Sequence, residues 1–152
     1  MKFVALIPAR LKSKRLPNKV LHLFKGLPMI EHVRRRALMT GVFKEVIIVT
    51  SDKKIAKIVR KNKGKVLINK KNHTSGTSRC GEVARKIKAD IFVIIFADEP
   101  LLLPSQIKKY CLFIEKDKKA QAWNATTKLQ KKDQYSEDVV KCELDKNNFI
   151  NN

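Results

Sequence analysis

Four short runs of this chain are apolar throughout: Phe3–Ile7, Val46–Val49, Val66–Ile68 and Ile91–Phe96. A strand with one wet face alternates apolar and polar residues, so unbroken apolar runs of this length predict strands buried on both faces. Amphipathic stretches separate them. Ile30, Val33 and Ala37 share a helical face after Pro28, leaving Glu31, Arg34 and Arg35 to look outward, and Gly41 can end that helix. Ile55, Ile58 and Val59 line a second helix that stops near Gly64. Ser78 is a candidate cap for a helix carrying Val83, Ala84 and Ile87, and Pro104 opens one carrying Ile107, Cys111 and Ile114. Strand and helix in alternation predict an α/β fold: an open, mostly parallel, Rossmann-like sheet flanked by helices. Val20–Phe24 reads as a short edge strand turned at Lys25-Gly26. Beyond about residue 120 the pattern weakens. Ala122–Thr126 and Val139–Cys142 read there as strands joined by a polar run, and residues 1–152 read as a single domain.

Bulk properties exclude several classes. No segment approaches the roughly twenty apolar residues of a membrane span. The N-terminus carries no signal-peptide pattern, and the three cysteines, Cys80, Cys111 and Cys142, have no zinc or redox spacing. These features suggest a cytoplasmic protein with reduced thiols. The formal charge of +20 raises nucleic acid as a partner. The lysines, however, are scattered over nearly every helix and turn, and aromatic residues for base stacking are sparse. Only nonspecific binding to nucleic acid at low salt is expected from this charge.

Three loops stand where a parallel sheet binds ligands, beyond the carboxyl ends of its strands. The first gathers Arg10, Lys12, Lys14, Arg15 and Lys19 around Ser13, between Pro8 and Pro17. It lacks the glycines of a Rossmann or P-loop site, so cations and backbone N–H groups would have to hold an anion. Taken alone, it is equally a solvated basic loop. The second, His73-Thr74-Ser75-Gly76-Thr77-Ser78-Arg79, precedes a helix N-terminus that can take an anion or simply be capped. The third, Asp98-Glu99-Pro100, puts a carboxylate on the same edge, as a Mg²⁺ ligand facing the basic loop or as a turn cap. Thr50-Ser51-Asp52 closes the second strand, with a helix cap and a ligand contact both open. No Ser–His–Asp or Cys–His nucleophile is evident.

Together these segments resemble the cytidylyltransferases that activate 3-deoxy-manno-octulosonate (KDO). That family's I-P-A-R-x-x-S-x-R-L-P-x-K-x-L is met from Ile7 to Leu21 at every named position. Its P-M-I-x-H-V is met by Pro28-Met29-Ile30 and His32-Val33, H-x-S-G-T-x-R by His73 to Arg79, and D-E-P by Asp98-Glu99-Pro100.

The resemblance implies a sheet of the nucleotide-diphospho-sugar transferase type and a transfer of CMP from CTP to a 2-keto sugar acid, for lipopolysaccharide synthesis. It implies catalytic roles for Arg10, Lys19 and Asp98, with Asp98 on Mg²⁺. It implies CTP contacts from Ala9, Arg10, Ser13, Lys19, Ser75, Gly76, Thr77 and Arg79, and a sugar-acid contact from Arg15. A homodimer is implied for full-length members.

The chain departs from the family in carrying Phe96-Ala97 where Gln-Gly is usual, and Ser51 where an Asp is usual, unless Asp52 supplies it. Family members are also longer, so the chain reads as lacking their C-terminal portion. Other readings are a cytidylyltransferase for another nonulosonic or amino-substituted sugar acid, a basic nucleic-acid-binding α/β protein, and an inactive truncated fragment.

Overall fold

The computed structural model describes residues 1–13, 16–69, 71, 73–117 and 119–150. Each apolar run forms a strand of one parallel sheet: β1 (Phe3–Ala9), β4 (Phe43–Thr50), β5 (Lys65–Ile68) and β6 (Ile91–Ile94), in the order β5-β4-β1-β6. β1 is central, pairing from Ala5 to Ala9 with Val46 to Thr50 and from Phe3 to Leu6 with Ile91 to Ile94. All seven of its residues are buried, which is why its sequence shows no polar alternation.

Alternate residues of the strands serve opposite layers. Val4, Leu6, Ile47 and Val49 pack with Cys80 and Val83 of α3 (Gly76–Ala84). Ala5, Ile7 and Ile48, also wholly buried, point the other way. Helices α1 (Met29–Met39) and α2 (Lys53–Lys61) lie against β4, and α4 (Pro104–Lys116) lies against α1. α4 begins at Pro104 and buries Ile107, Cys111 and Ile114, as its periodicity predicts. Gly41 takes the left-handed conformation (φ 68°) that ends α1.

Several local expectations are corrected. Glu31 and Arg34 do not face outward: Glu31 is wholly buried, and Arg34 Nε and Nη2 grip its carboxylate at 2.8–3.0 Å. Arg34 Nη2 also donates to the Asn62 carbonyl at 3.0 Å, joining α1 to the end of α2. A buried charge is tolerable when paired and fully hydrogen-bonded, and this pair meets both conditions. Residues 20–24 form no strand of the main sheet. Lys19–Leu21 is a 3₁₀ turn, and Leu23–Phe24 (β2) pairs only with Leu27–Pro28 (β3) in a small hairpin. The cap of α3 is Ser75 rather than Ser78: its Oγ accepts the Ser78 N–H at 3.0 Å.

Residues 1–119 and 120–152 gather into two compact units. In the second, Ala122–Thr126 and Val139–Cys142 are not strands. Its described residues hold a 3₁₀ turn at Lys131–Asp133 and a single bridge from Leu144 to Ile150. A strand pattern expresses a capacity to pair, and it needs neighbouring strands and an apolar face to be realised. No helix among the described residues is long and apolar enough to cross a membrane.

Candidate functional site at the carboxyl edge of the sheet

Parallel pairing brings the carboxyl ends of β1, β4, β5 and β6 to one edge of the sheet. Arg10 emerges there, exposed, one residue after the last β1–β4 pair, Ala9 with Thr50. The basic loop that follows is closed upon itself: the Asn18 N–H donates to the Leu11 carbonyl at 3.1 Å, and Lys19 N–H to the Leu16 carbonyl at 3.2 Å. Asn18 adopts φ 57°, a left-handed turn that Asn accepts more readily than most residues. Ser13 is half-buried within the loop. Arg15 lies outside the described residues.

Lys19 and Asp98, 79 positions apart, meet at this edge. Lys19 Nζ donates to Asp98 Oδ2 at 2.5 Å, with side-chain exposures of 28% and 44%. The sequence motifs assigned one of these groups to phosphate and the other to metal, and the fold makes them neighbours. Such an exposed pair adds little to stability, so its interest is positional. Beside it, burial and then the Asp98 charge push the Glu99 carboxyl above its ordinary range.

The second loop packs against the first strand. A Cβ added at Gly76 would come within 3.0 Å of Pro8 Cγ and 3.4 Å of Phe96 Cε1, so the start of α3 lies directly on the end of β1. This close approach, rather than an unusual φ, is what glycine supplies here. Thr77 is exposed on the first turn of α3. Ala97 is buried and is not among the described residues with positive φ, so alanine fits there without backbone strain.

Arg79 has an internal role that its motif does not reveal. Only 7% exposed, it donates through Nη1 to Asn69 Oδ1 at 2.8 Å, and Asn69 Nδ2 donates to Glu82 Oε2 at 3.2 Å. His73 Nε2 donates to the same Glu82 oxygen at 2.8 Å. The His73 bond holds the Glu82 carboxyl below its ordinary range, with Asn69 contributing less. This network ties the end of β5 to both ends of the His73–Arg79 loop. Sequence reading passed over Asn69 and Glu82. The available signals were the polar residue ending a buried strand and the carboxylate three residues after Arg79.

Burial disfavours the thiolate at both buried cysteines. Burial pushes Cys80 up to about 12, against a smaller opposing pull from Arg79, and Cys111 up to about 11. A depression of about 450 Å³ at the opposite edge, lined by Met1–Phe3 and Gly41–Lys44, has no carboxylate or hydroxyl side chain.

Among the described residues no three His, Cys, Asp or Glu side chains converge on a metal position. Mg²⁺ keeps several waters and needs only one or two carboxylates when phosphate supplies other oxygens. The exposed Asp98 carboxylate fits that demand.

A family model described as cytidylyltransferase matches residues 4–150. The 3-deoxy-manno-octulosonate cytidylyltransferase of Geobacter metallireducens is 44% identical over 107 residues, covering 70% of this chain and 42% of that protein. The 3-deoxy-manno-octulosonate cytidylyltransferase 2 of Actinobacillus pleuropneumoniae serotype 5b is 38% identical over 150 residues, 97% of this chain and 59% of that one. The chain thus spans about half the length of the relatives it matches. Among solved structures, a CMP:2-keto-3-deoxy-manno-octonic acid synthetase complexed with CTP superposes with a TM-score of 0.75 at 38% identity. That superposition covers 77% of this chain and 48% of the other. A cytidylyltransferase from Leptospira borgpetersenii, at 24% identity and a TM-score of 0.67, shares the fold.

Proposed function

Because this chain belongs to the cytidylyltransferase family, we propose that it forms the nucleotide-binding part of an enzyme that couples CTP to a 2-keto sugar acid, most directly KDO. The observation that carries this reading is the meeting of Lys19 and Asp98 at the sheet edge where Arg10 and the Ser75–Thr77 loop also emerge. On this reading Lys19 serves phosphate and Asp98 serves metal, and the hydrogen bond between them supports a shared site.

In the reaction, the anomeric hydroxyl of the sugar acid attacks the α-phosphorus of CTP, and pyrophosphate leaves. Arg10 and Lys19 bind the triphosphate and stabilise the charge that grows on the departing pyrophosphate. Ser13 donates to a phosphate oxygen. The Ser75-Gly76-Thr77 loop borders the cytidine, and the Asn69–Arg79–Glu82–His73 network braces the residues on either side of it. Arg15, by its place in the motif, receives the sugar carboxylate through its planar fork. Asp98 would hold Mg²⁺, which when bound neutralises triphosphate charge and orients the phosphates. No covalent enzyme intermediate is needed, in keeping with the raised thiols of Cys80 and Cys111.

The test is pyrophosphate release by the protein carrying this chain. Release should require CTP and KDO together. Release without the sugar acid, or equally well with ATP, would contradict the proposal.

A further inference from the structure

We propose that Asp52 is a positioning residue that locks the basic loop into its anion-binding form, an inference resting on the phosphate-binding reading of that loop. Asp52 stands at the N-cap of α2, where an aspartate ordinarily accepts an N–H of the helix's first turn. Its carboxylate makes no such bond. Instead Oδ2 accepts the Leu11 N–H at 2.9 Å, from a residue 41 positions earlier on the neighbouring strand's loop. The Asp52 backbone is itself held, because its N–H donates at 3.0 Å to Oγ1 of Thr50, which is wholly buried at the last β1–β4 pair. The helix forgoes a cap, and the loop gains an anchor.

Leu11 is the neck of that loop. Its N–H is held by Asp52 and its carbonyl by the Asn18 N–H, so one residue gathers both ends of the basic segment through the two peptides that flank it. Arg10 is the residue before Leu11, and Lys19 is the residue after Asn18. A single carboxylate therefore sets where both triphosphate cations start. A carboxylate repels a triphosphate, so its presence beside a basic loop is explained by the N–H it holds rather than by contact with nucleotide. A hydrogen bond to a charged acceptor is stronger than one to a neutral acceptor.

Two substitutions separate positioning from general stability. Asp52→Ser keeps a side chain that caps helices well but is too short to reach Leu11. Asp52→Asn keeps an acceptor oxygen at the right length and removes the charge. In the chain without nucleotide, Asp52→Ser should speed hydrogen exchange at the Leu11 amide and trypsin cleavage within 10–19, with little change in melting temperature. It should weaken CTP binding about tenfold, the scale of one lost charge-assisted hydrogen bond. Asp52→Asn should keep Leu11 protection and CTP affinity to within about threefold, because a neutral acceptor retains most of the bond.

Unchanged Leu11 exchange in Asp52→Ser would overturn the positioning role. So would an Asp52→Asn variant that protects Leu11 yet binds CTP as poorly as Asp52→Ser, because the charge would then act on the metal-nucleotide directly. Failure of the unaltered chain to bind CTP would instead overturn the reading of the site, and the exchange measurement keeps the two failures apart.

Discussion

Lys19 and Lys57 are the same residue type in the same strongly basic chain, yet the fold gives them different work. Lys19 meets Asp98 at the carboxyl edge, whereas Lys57 lies exposed on α2. Arg10→Ala and Lys19→Ala should each weaken CTP binding by about 1–3 kcal/mol, the range for hydrogen bonds to charged groups. Lys57→Ala should leave it unchanged. Titration calorimetry checks this, and equal effects of all three would reduce the loop to general charge. Asp98→Asn should keep the melting temperature but lose most of the Mg²⁺-dependent part of CTP affinity, measured with and without a chelator. Retained metal dependence would remove Asp98 from the metal site.

At the scale of elements, a polar network joins Asn69 and His73 to Arg79 and Glu82 of α3, on either side of the Ser75–Thr77 loop. The Glu82 carboxyl is held below its ordinary value of 4.5, mainly by His73. A depressed carboxylate contributes stability that is present above its unfolded value and is lost as pH falls through the folded one. Wild-type stability should therefore fall below about pH 4.5 more steeply than that of Glu82→Gln, with the gap between the two closing at lower pH. Denaturant melts at several pH values check this, and parallel curves would show that Glu82 is not coupled to folding. Gly76→Ala places a methyl group 3.0 Å from Pro8 and should shift the start of α3, lowering CTP affinity more than stability. The apolar runs made the strands legible because strands buried on both faces leave no polar alternation to confuse with a helix. Glu31 and Arg34 were not legible, because periodicity places charges outward and says nothing of a partner three residues away. Ser75 was missed as the α3 cap because Ser78 is equally suited by type, and only the backbone path decides between them.

For the molecule as a whole, the distribution of charge matters more than its sum. A net charge of +20 would suit any polyanion, but the carboxyl edge adds a specific arrangement of Lys19, Asp98 and the loop before α3. That convergence was anticipated by three motifs of one family, since parallel topology fixes which strand ends share an edge. The Asp52–Leu11 bond could not be seen the same way, because it joins residues 41 positions apart through side-chain reach. The strand patterns after residue 120 misled because pairing depends on neighbours that a local pattern does not show. The most direct test of the central claim is the affinity of the chain for CTP and for ATP or GTP with Mg²⁺, at low and at physiological salt. A pyrimidine-nucleotide site predicts tighter binding of CTP at both salt concentrations, with the preference surviving as nonspecific attraction is screened. Equal affinities that weaken together as salt rises would show a basic surface that holds any polyanion, and would contradict the account.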